Sequence, residues 1–318
     1  MNLYERNIFP ESAEGVFAAA CLLLMLGLAF GPTTAQAAEA PTYPATAQAE
    51  VKPWGIRMDV GYTRDDNVSR SSAAKLSDNI LNLNLSKGLA VPLSEHTRIV
   101  LNGQLGGEKF IHYSGLGRVF GGVQGEFMYR ASGEFSAATW SIFGRAFVDQ
   151  YQSALRDGSR FSAGLSARKS VTDRITLFGA VAKNVRNSKS SVFDIKDTSL
   201  RMNVDYALGA YGTLYVSAEQ RRGDIAFSGS WSPYVTTYAL DDAFTGAQYY
   251  AYRMKGKTTL ATLGYNMPIG SKNSIDFSWR RVRSVTDSLS AYFTYYGYTT
   301  YSASYTTNQL SIAFLTAF

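Results

Sequence analysis

The chain has 318 residues, 14% of them aromatic with 21 Tyr, along with 28 Gly, two His, one Cys and only 18% charged residues, for a net charge of +6. This balance is rich in strand and turn formers and poor in the material of solvated helices, which argues against a helical bundle and for an all-β protein. With so little His and Cys, and with no glycine-rich phosphate loop or paired-cysteine site, neither a transition-metal centre nor any other cofactor is expected.

The first predicted element is the apolar run "VFAAACLLLMLGLAF" (16–30), followed by small-residue cleavage positions around Ala35, Ala37 and Ala40. It is too short for a membrane helix of about 20 residues, so 1–37 reads as a secretory signal. Its lead-in is acidic, with Glu5, Glu11 and Glu14 against Arg6, where a signal is usually basic. Cys21 precedes the leucine run, the wrong side for a lipid-attachment box. A chain cut near 37 has no cysteine, hence no disulfide, and its net charge rises to +8. A basic exported protein suits anionic lipid surfaces, and nothing suggests nucleic acid. Residues 38–53, with Pro41 and Pro44 and no periodicity, read as a flexible periplasmic leader.

From Trp54 to Phe318 apolar and polar residues alternate in segments of about ten, the period of strands with one apolar and one wet face. "GIRMDVGY" (55–62) sets Ile56, Met58, Val60 and Tyr62 against Arg57 and Asp59. "ILNLNLSKGL" (80–89) sets leucines against Asn82, Asn84 and Ser86. The same pattern recurs at 98–110, 118–129, 140–150, 160–170, 174–185, 198–207, 213–222, 258–267, 274–283 and 303–318, about twelve strands in all. Tight connections alternate with longer ones at 63–79, 111–117, 151–159, 186–197, 223–257 and 284–302. Long loops at one end and tight turns at the other, around an even number of antiparallel strands, define a transmembrane up-and-down β-barrel of the bacterial outer membrane.

The wet face carries Arg57, Asp59, Glu108, Arg118, Glu126, Arg145, Asp149, Arg168, Arg201, Asp205 and Arg280, together with Glu219, Arg221 and Asp276. These are the expected lumen-lining residues. Lys87, Lys109, Lys169 and Lys183 share the apolar face but sit near strand ends, where a charge costs little. The terminal "NQLSIAFLTAF" places Leu310, Ile312, Phe314 and Phe318 at alternate positions. It resembles the C-terminal signature of outer-membrane barrels, which implies that Phe318 marks the last strand for the barrel-insertion machinery.

Three further features have competing readings. His112-Tyr113-Ser114 resembles the His-x-Ser of outer-membrane phospholipase A, which would imply catalysis by His112 and Ser114; the orienting Asn of that family has no counterpart in "GEFMYR", and an interfacial His beside a loop Ser is the plainer reading. Asp65, Asp66 and Asn67 could ligate Ca²⁺ through oxygen, but their spacing lacks the glycine and interval of a dedicated loop, which favours a solvated turn. That stretch and the hairpin after it resemble the barrel of the surface lipoprotein assembly modifier family and related porin-like barrels, although the helical-repeat domain of those translocons has no counterpart ahead of this barrel. The loops 223–257 and 284–302 are crowded with aromatics, among them Trp231, Tyr234, Tyr249, Tyr250, Tyr295 and Tyr296, which suit recognition of a surface ligand or else pack on one another above the bilayer.

The expectation is therefore a non-enzymatic, porin-like channel for small hydrophilic solutes, in contact with outer-membrane lipid. The alternatives are a closed barrel that binds through its aromatic loops as adhesin, receptor or export partner, and a lipid hydrolase using His112 and Ser114.

Overall fold

The computed structural model describes residues 55–135, 137–232, 235–244, 249–287, 289–293, 297–301 and 303–318. The signal segment and the leader lie outside them, as do Tyr234, Tyr295 and Tyr296. Strands form wherever the period-two pattern holds: β1 (Ile56–Asp65), β2 (Asp78–Pro92), β3 (Thr97–Phe110), β4 (Arg118–Arg130), β5 (Thr139–Tyr151), β6 (Gly158–Ser170), β7 (Ile175–Ser188), β8 (Ile195–Ala207) and β9 (Thr213–Gly229). After the short β10 (Tyr238–Leu240) come β11 (Tyr250–Ile269), β12 (Asn273–Thr286), the small hairpin β13 (Leu289–Phe293) and β14 (Gly297–Tyr301), and β15 (Ser304–Ala317). Barrel strands pair antiparallel with their neighbours, β9 pairs directly with β11, and β15 returns to β1, so twelve strands close on themselves and leave no barrel edge.

The register fixes the size. Following hydrogen-bonded partners from Met58 through Leu85, Leu105, Gly121, Val148, Ser159 and Asn187, and on around the closure, returns to the line of β1 about 16 residues from the start. With twelve strands that stagger tilts them by roughly 45° and gives a backbone radius of about 12 Å. This is wider than an eight-strand barrel and narrower than a porin of sixteen.

Outward positions are apolar: Leu105, Ile142, Leu165 and Met202 are each 60% or more exposed. Such a continuous surface belongs in lipid, and Tyr129 and Trp140, register partners near the short-turn end, supply the aromatic belt. No helix among the described residues is long and apolar enough to cross a membrane. The strands do the crossing, because closure satisfies every ladder hydrogen bond without water. The protein is thus a transmembrane barrel of the bacterial outer membrane, with its short turns periplasmic and its long loops outside. At one of these turns Gly270, at φ +69°, carries β11 into β12 through backbone conformation that favours glycine.

Inside, rings lie over glycines of the next strand. A Cβ on Gly106 would overlap Phe120, one on Gly122 would overlap Phe147, and one on Gly264 would overlap Tyr215. Tyr215 then reaches Asp276, to which its hydroxyl donates at 2.9 Å.

The longest expected loop is much shorter than the alternation suggests. β9 runs on to Gly229 and β11 begins at Tyr250, so the connection expected over 223–257 shrinks to 230–249. The polarity of the alternation flips above the bilayer: Ile225, Phe227, Tyr252 and Met254 face inward and pack together, while Asp224 and Lys255 face out. A reading that looks for apolar residues on the lipid face stops where the lipid stops.

Candidate functional site: the charged lumen and its cap

Strand parity puts all eleven of the expected lumen residues, Arg57, Asp59, Glu108, Arg118, Glu126, Arg145, Asp149, Arg168, Arg201, Asp205 and Arg280, on inward-facing positions, opposite in parity to the lipid-facing apolar residues. Several are joined at the wall. Arg57 Nε donates to Asp59 Oδ1 at 2.8 Å, and Arg221 Nε to Glu219 Oε1 at 2.7 Å. Arg118 and Glu108, register partners on β4 and β3, are both buried and hydrogen-bonded. Asp149 accepts from Nε and Nη2 of Arg160, the latter at 2.8 Å. Sequence reasoning passed over Arg160 and Arg186. Both share parity with an inward neighbour, Arg160 with Arg168 and Arg186 with Asn184, and that signal was available.

Three further arginines lie over rings. The guanidinium of Arg145 lies 5.0 Å over Phe143, that of Arg168 5.8 Å over Phe178, and that of Arg186 5.9 Å over Phe193. Arg145 makes no ion pair among the described residues and is exposed to the interior space. Arg201 has a buried Nε without a hydrogen-bond partner and lies in electrostatic range of Arg145, Arg221 and Arg280 as well as Glu219. Around them the β6–β8 wall is built from Ser162, Gly164, Ser166, Ala180, Ala182 and Ser199, which leaves room. The facing wall, on β2 to β4, presents the neutral amides Asn82, Asn84, Asn102, Gln104 and Gln124. The cavity between these walls measures about 660 Å³. The barrel is therefore neither packed shut by side chains nor a wide tube.

The extracellular mouth is covered. The 230–249 connection is anchored at β9 and β11, yet it reaches loops that belong to the other side of the barrel. Ala243 lies so close to Gly115, between β3 and β4, that a Cβ on Gly115 would overlap it. Arg156, between β5 and β6, binds Asp241 through two hydrogen bonds of 2.6 and 2.7 Å, with Asp241 fully buried. Ser228 Oγ also donates to Asp241, and Ser153 hydrogen-bonds Asp242. Beneath this latch Phe244, Ala243 and Tyr249 pack on Val68, Ile80, Phe110 and Leu116. A loop anchored beside β11 meets the β3–β4 connection only by crossing the opening. Burial here pushes the Tyr249 phenol above its ordinary range, with Tyr113 adding to the shift.

The other predicted sites resolve differently. His112 Nδ1 lies 2.9 Å from Asp78 Oδ1, and Asp78 also accepts the backbone N–H of Tyr113 at 2.8 Å. An acid on the neighbouring strand thus orients the imidazole, but no hydrogen bond joins His112 to the exposed Ser114. The Asp65–Asn67 stretch is not a solvated turn: Asp65 and Asn67 are fully buried. Asp65 accepts from Arg70, Thr307 and Gln309, Asp66 from Asn308, and Asn67 Nδ2 donates to Ser71 O at 2.8 Å. These acceptors, the candidates for Ca²⁺, staple the first loop to β15. Of the aromatic candidates, Trp231 is exposed, Tyr250 is half-buried, and Tyr249 packs against Phe244 with tilted rings whose centroids are 5.4 Å apart. Phe318 is 69% exposed on the lipid side, and its N–H donates to Ile56 O at 2.9 Å.

This geometry defines an outer-membrane β-barrel with a polar, charge-lined interior. Neither a protein-family model nor a curated protein matches the chain. Among solved structures, the COG4313 outer membrane channel from Pseudomonas putida F1 shares the fold, with a TM-score of 0.54 at 10% identity over 89% of this chain and 100% of that one. The KdgM porin in complex with disordered oligogalacturonate aligns at 0.44 and 10% identity, over 82% of this chain and 99% of the other. The translocator domain of the autotransporter NalP from Neisseria meningitidis aligns at 0.35 and 10% identity, over 95% and 96%. The chain has the fold of porin-like outer-membrane barrels.

Proposed function

We propose that the protein is a porin-like channel for small hydrophilic solutes, with anions favoured, and that it is not an enzyme. The observation that carries this is the cavity of about 660 Å³ between an amide wall and the arginines Arg145, Arg168 and Arg201. Amides exchange hydrogen bonds with hydroxylated solutes, and a guanidinium held by a ring offers charge to a passing anion. Planar-bilayer recording of the purified barrel tests it: steady conductance with anions preferred supports the reading, and silence from folded barrel in both wild-type protein and a variant with the cap released refutes it. A second reading, a closed barrel that acts through its surface, is favoured by one observation, the loop that crosses the mouth. Silence that persists after the cap is released would select this second reading. The resemblance to the surface lipoprotein assembly modifier barrels rests on strand and turn patterns through about residue 225, and at its first hairpin the Asp65–Asn67 turn serves as a staple. Against hydrolysis stands the lack of a hydrogen bond between His112 and Ser114. Acyl release that is lost in Ser114→Ala would overturn this part.

A further inference from the structure

The lipid-facing wall carries a cluster of bases at its extracellular end. Lys183 on β7, Arg222 on β9 and Lys257 on β11 lie along one hydrogen-bonded row, with only Thr198 between the first two. At the spacing of adjacent strands the row spans about 14 Å. On the next row outward Lys196 and Lys255 flank Asp224, and Arg283 and Arg281 follow on β12 beside Thr259 and Ala261 of β11. Seven bases thus share this sector with two outward acids, Asp224 and Asp287. Asp224 binds Lys255 at 2.8 Å, and Asp287 binds Arg222 at 3.1 Å. Lys183, Lys196, Lys257, Arg281 and Arg283 make no ion pair among the described residues.

Below this belt the same strands are bare hydrocarbon surface: Leu200, Val216 and Leu263 are each at least half exposed. At their periplasmic ends the outward positions hold Leu177, Tyr206, Leu214 and Ile269, without charge. The bases therefore lie on the extracellular half of the outer wall, in a band that follows the tilt of the strands, and the outward strand positions below them carry none. Cations in this position are stabilised by anionic headgroups, and a cluster of several matches a headgroup that bears more than one phosphate.

We propose that this sector of the outer wall is a docking site for a phosphorylated glycolipid of the outer leaflet, with its phosphates on Lys257, Arg281 and Arg283 and its acyl chains against Leu263 and Val216. The site is independent of the channel reading, because it lies on the opposite face of the wall.

The test is lipid retention by native mass spectrometry, on protein purified from the outer membrane and titrated with diphosphorylated lipid A or with its dephosphorylated form. Wild-type protein should retain the phosphorylated form at least tenfold better. The Lys257→Gln, Arg281→Gln, Arg283→Gln triple variant should lose that preference, while Lys87→Gln, at the periplasmic end of the same outer surface, keeps it. Heat-modifiable gel migration reports folding, and if the triple variant fails to fold, the single Arg283→Gln variant should still weaken retention by several-fold. Equal retention of the two lipids, an unchanged preference in the folded variants, or competition by phosphatidylglycerol vesicles as effective as by lipid A would each overturn the proposal. So would binding of inorganic phosphate without retention of lipid A.

Discussion

Arg145→Glu is the most direct perturbation of the lumen, because this guanidinium is exposed to the interior and makes no ion pair among the described residues. With a backbone radius of about 12 Å, an ion on the axis passes roughly 6 Å from the end of this side chain. In a water-filled lumen each unit charge at that distance contributes about 0.7 kcal/mol, so reversal shifts the energy of a passing ion by about 1.4 kcal/mol. At 0.1 M salt, with a screening length of about 10 Å, roughly half survives. Anion and cation barriers move in opposite directions, so the permeability ratio should change by about tenfold toward cations. At 1 M salt, with a screening length of about 3 Å, the change should fall to about twofold. Reversal potentials under a salt gradient measure this ratio directly. A folded, conducting Arg145→Glu barrel with the wild-type ratio at 0.1 M would refute the assignment of Arg145 to the permeation path.

Asp241→Asn leaves the Arg156 guanidinium buried without its carboxylate, a loss of about 3–5 kcal/mol, and should release the cap; bilayer recordings should show longer open times, and protease should cut within 230–249. Gly264→Ala forces a methyl into the Tyr215 ring and should destabilise the barrel by about 1–3 kcal/mol, read as a lower urea midpoint, whereas Gly103→Ala, where an added Cβ meets nothing, should change little. Deleting Phe318 removes one exposed ring and one backbone hydrogen bond, so stability in detergent should change by less than about 2 kcal/mol while assembly into the outer membrane of cells falls sharply. An equal loss in both assays would make Phe318 a structural residue rather than an insertion signal.

The barrel was legible because a strand with lipid on one side and water on the other repeats every two residues, and in "WSIFGRAFVDQ" that period alone separates Ile142 and Val148 from Arg145 and Asp149. The pairing inside was not legible. Arg160 meets Asp149 only because the β5–β6 register brings the two rows together, and register depends on both strands at once. The cap was beyond reach for another reason. Asp241 and Arg156 are 85 residues apart, and neither belongs to a motif. The loops misled at Ile225, Phe227, Tyr252 and Met254, whose alternation continues with the opposite sense once water replaces lipid outside and loops replace water inside.

The chemistry of the latch bears on whether the mouth is sealed for good. A permanent lid would be most stable with an apolar seam, since replacing a buried ion pair by well-packed apolar residues is often neutral or stabilising. Here the apolar cluster of Phe244, Tyr249 and Leu116 is joined to the buried Arg156–Asp241 pair, with Asp242 at 3.7 Å from the same guanidinium. Arg156 also lies 4.2 Å over Phe193, which holds it in place from the barrel side whether or not Asp241 is present. The strength of such a joint depends on keeping water out. Once the loop lifts, both charges are rehydrated and the pair weakens to the level of a surface ion pair, so the closed and open states are separated by a cooperative step and not by gradual loosening. An Arg156→Met, Asp241→Leu double variant removes that step while it keeps the volume. It should therefore stay shut under conditions in which Asp241→Asn opens, and bilayer recordings of the two would tell a gate from a plug.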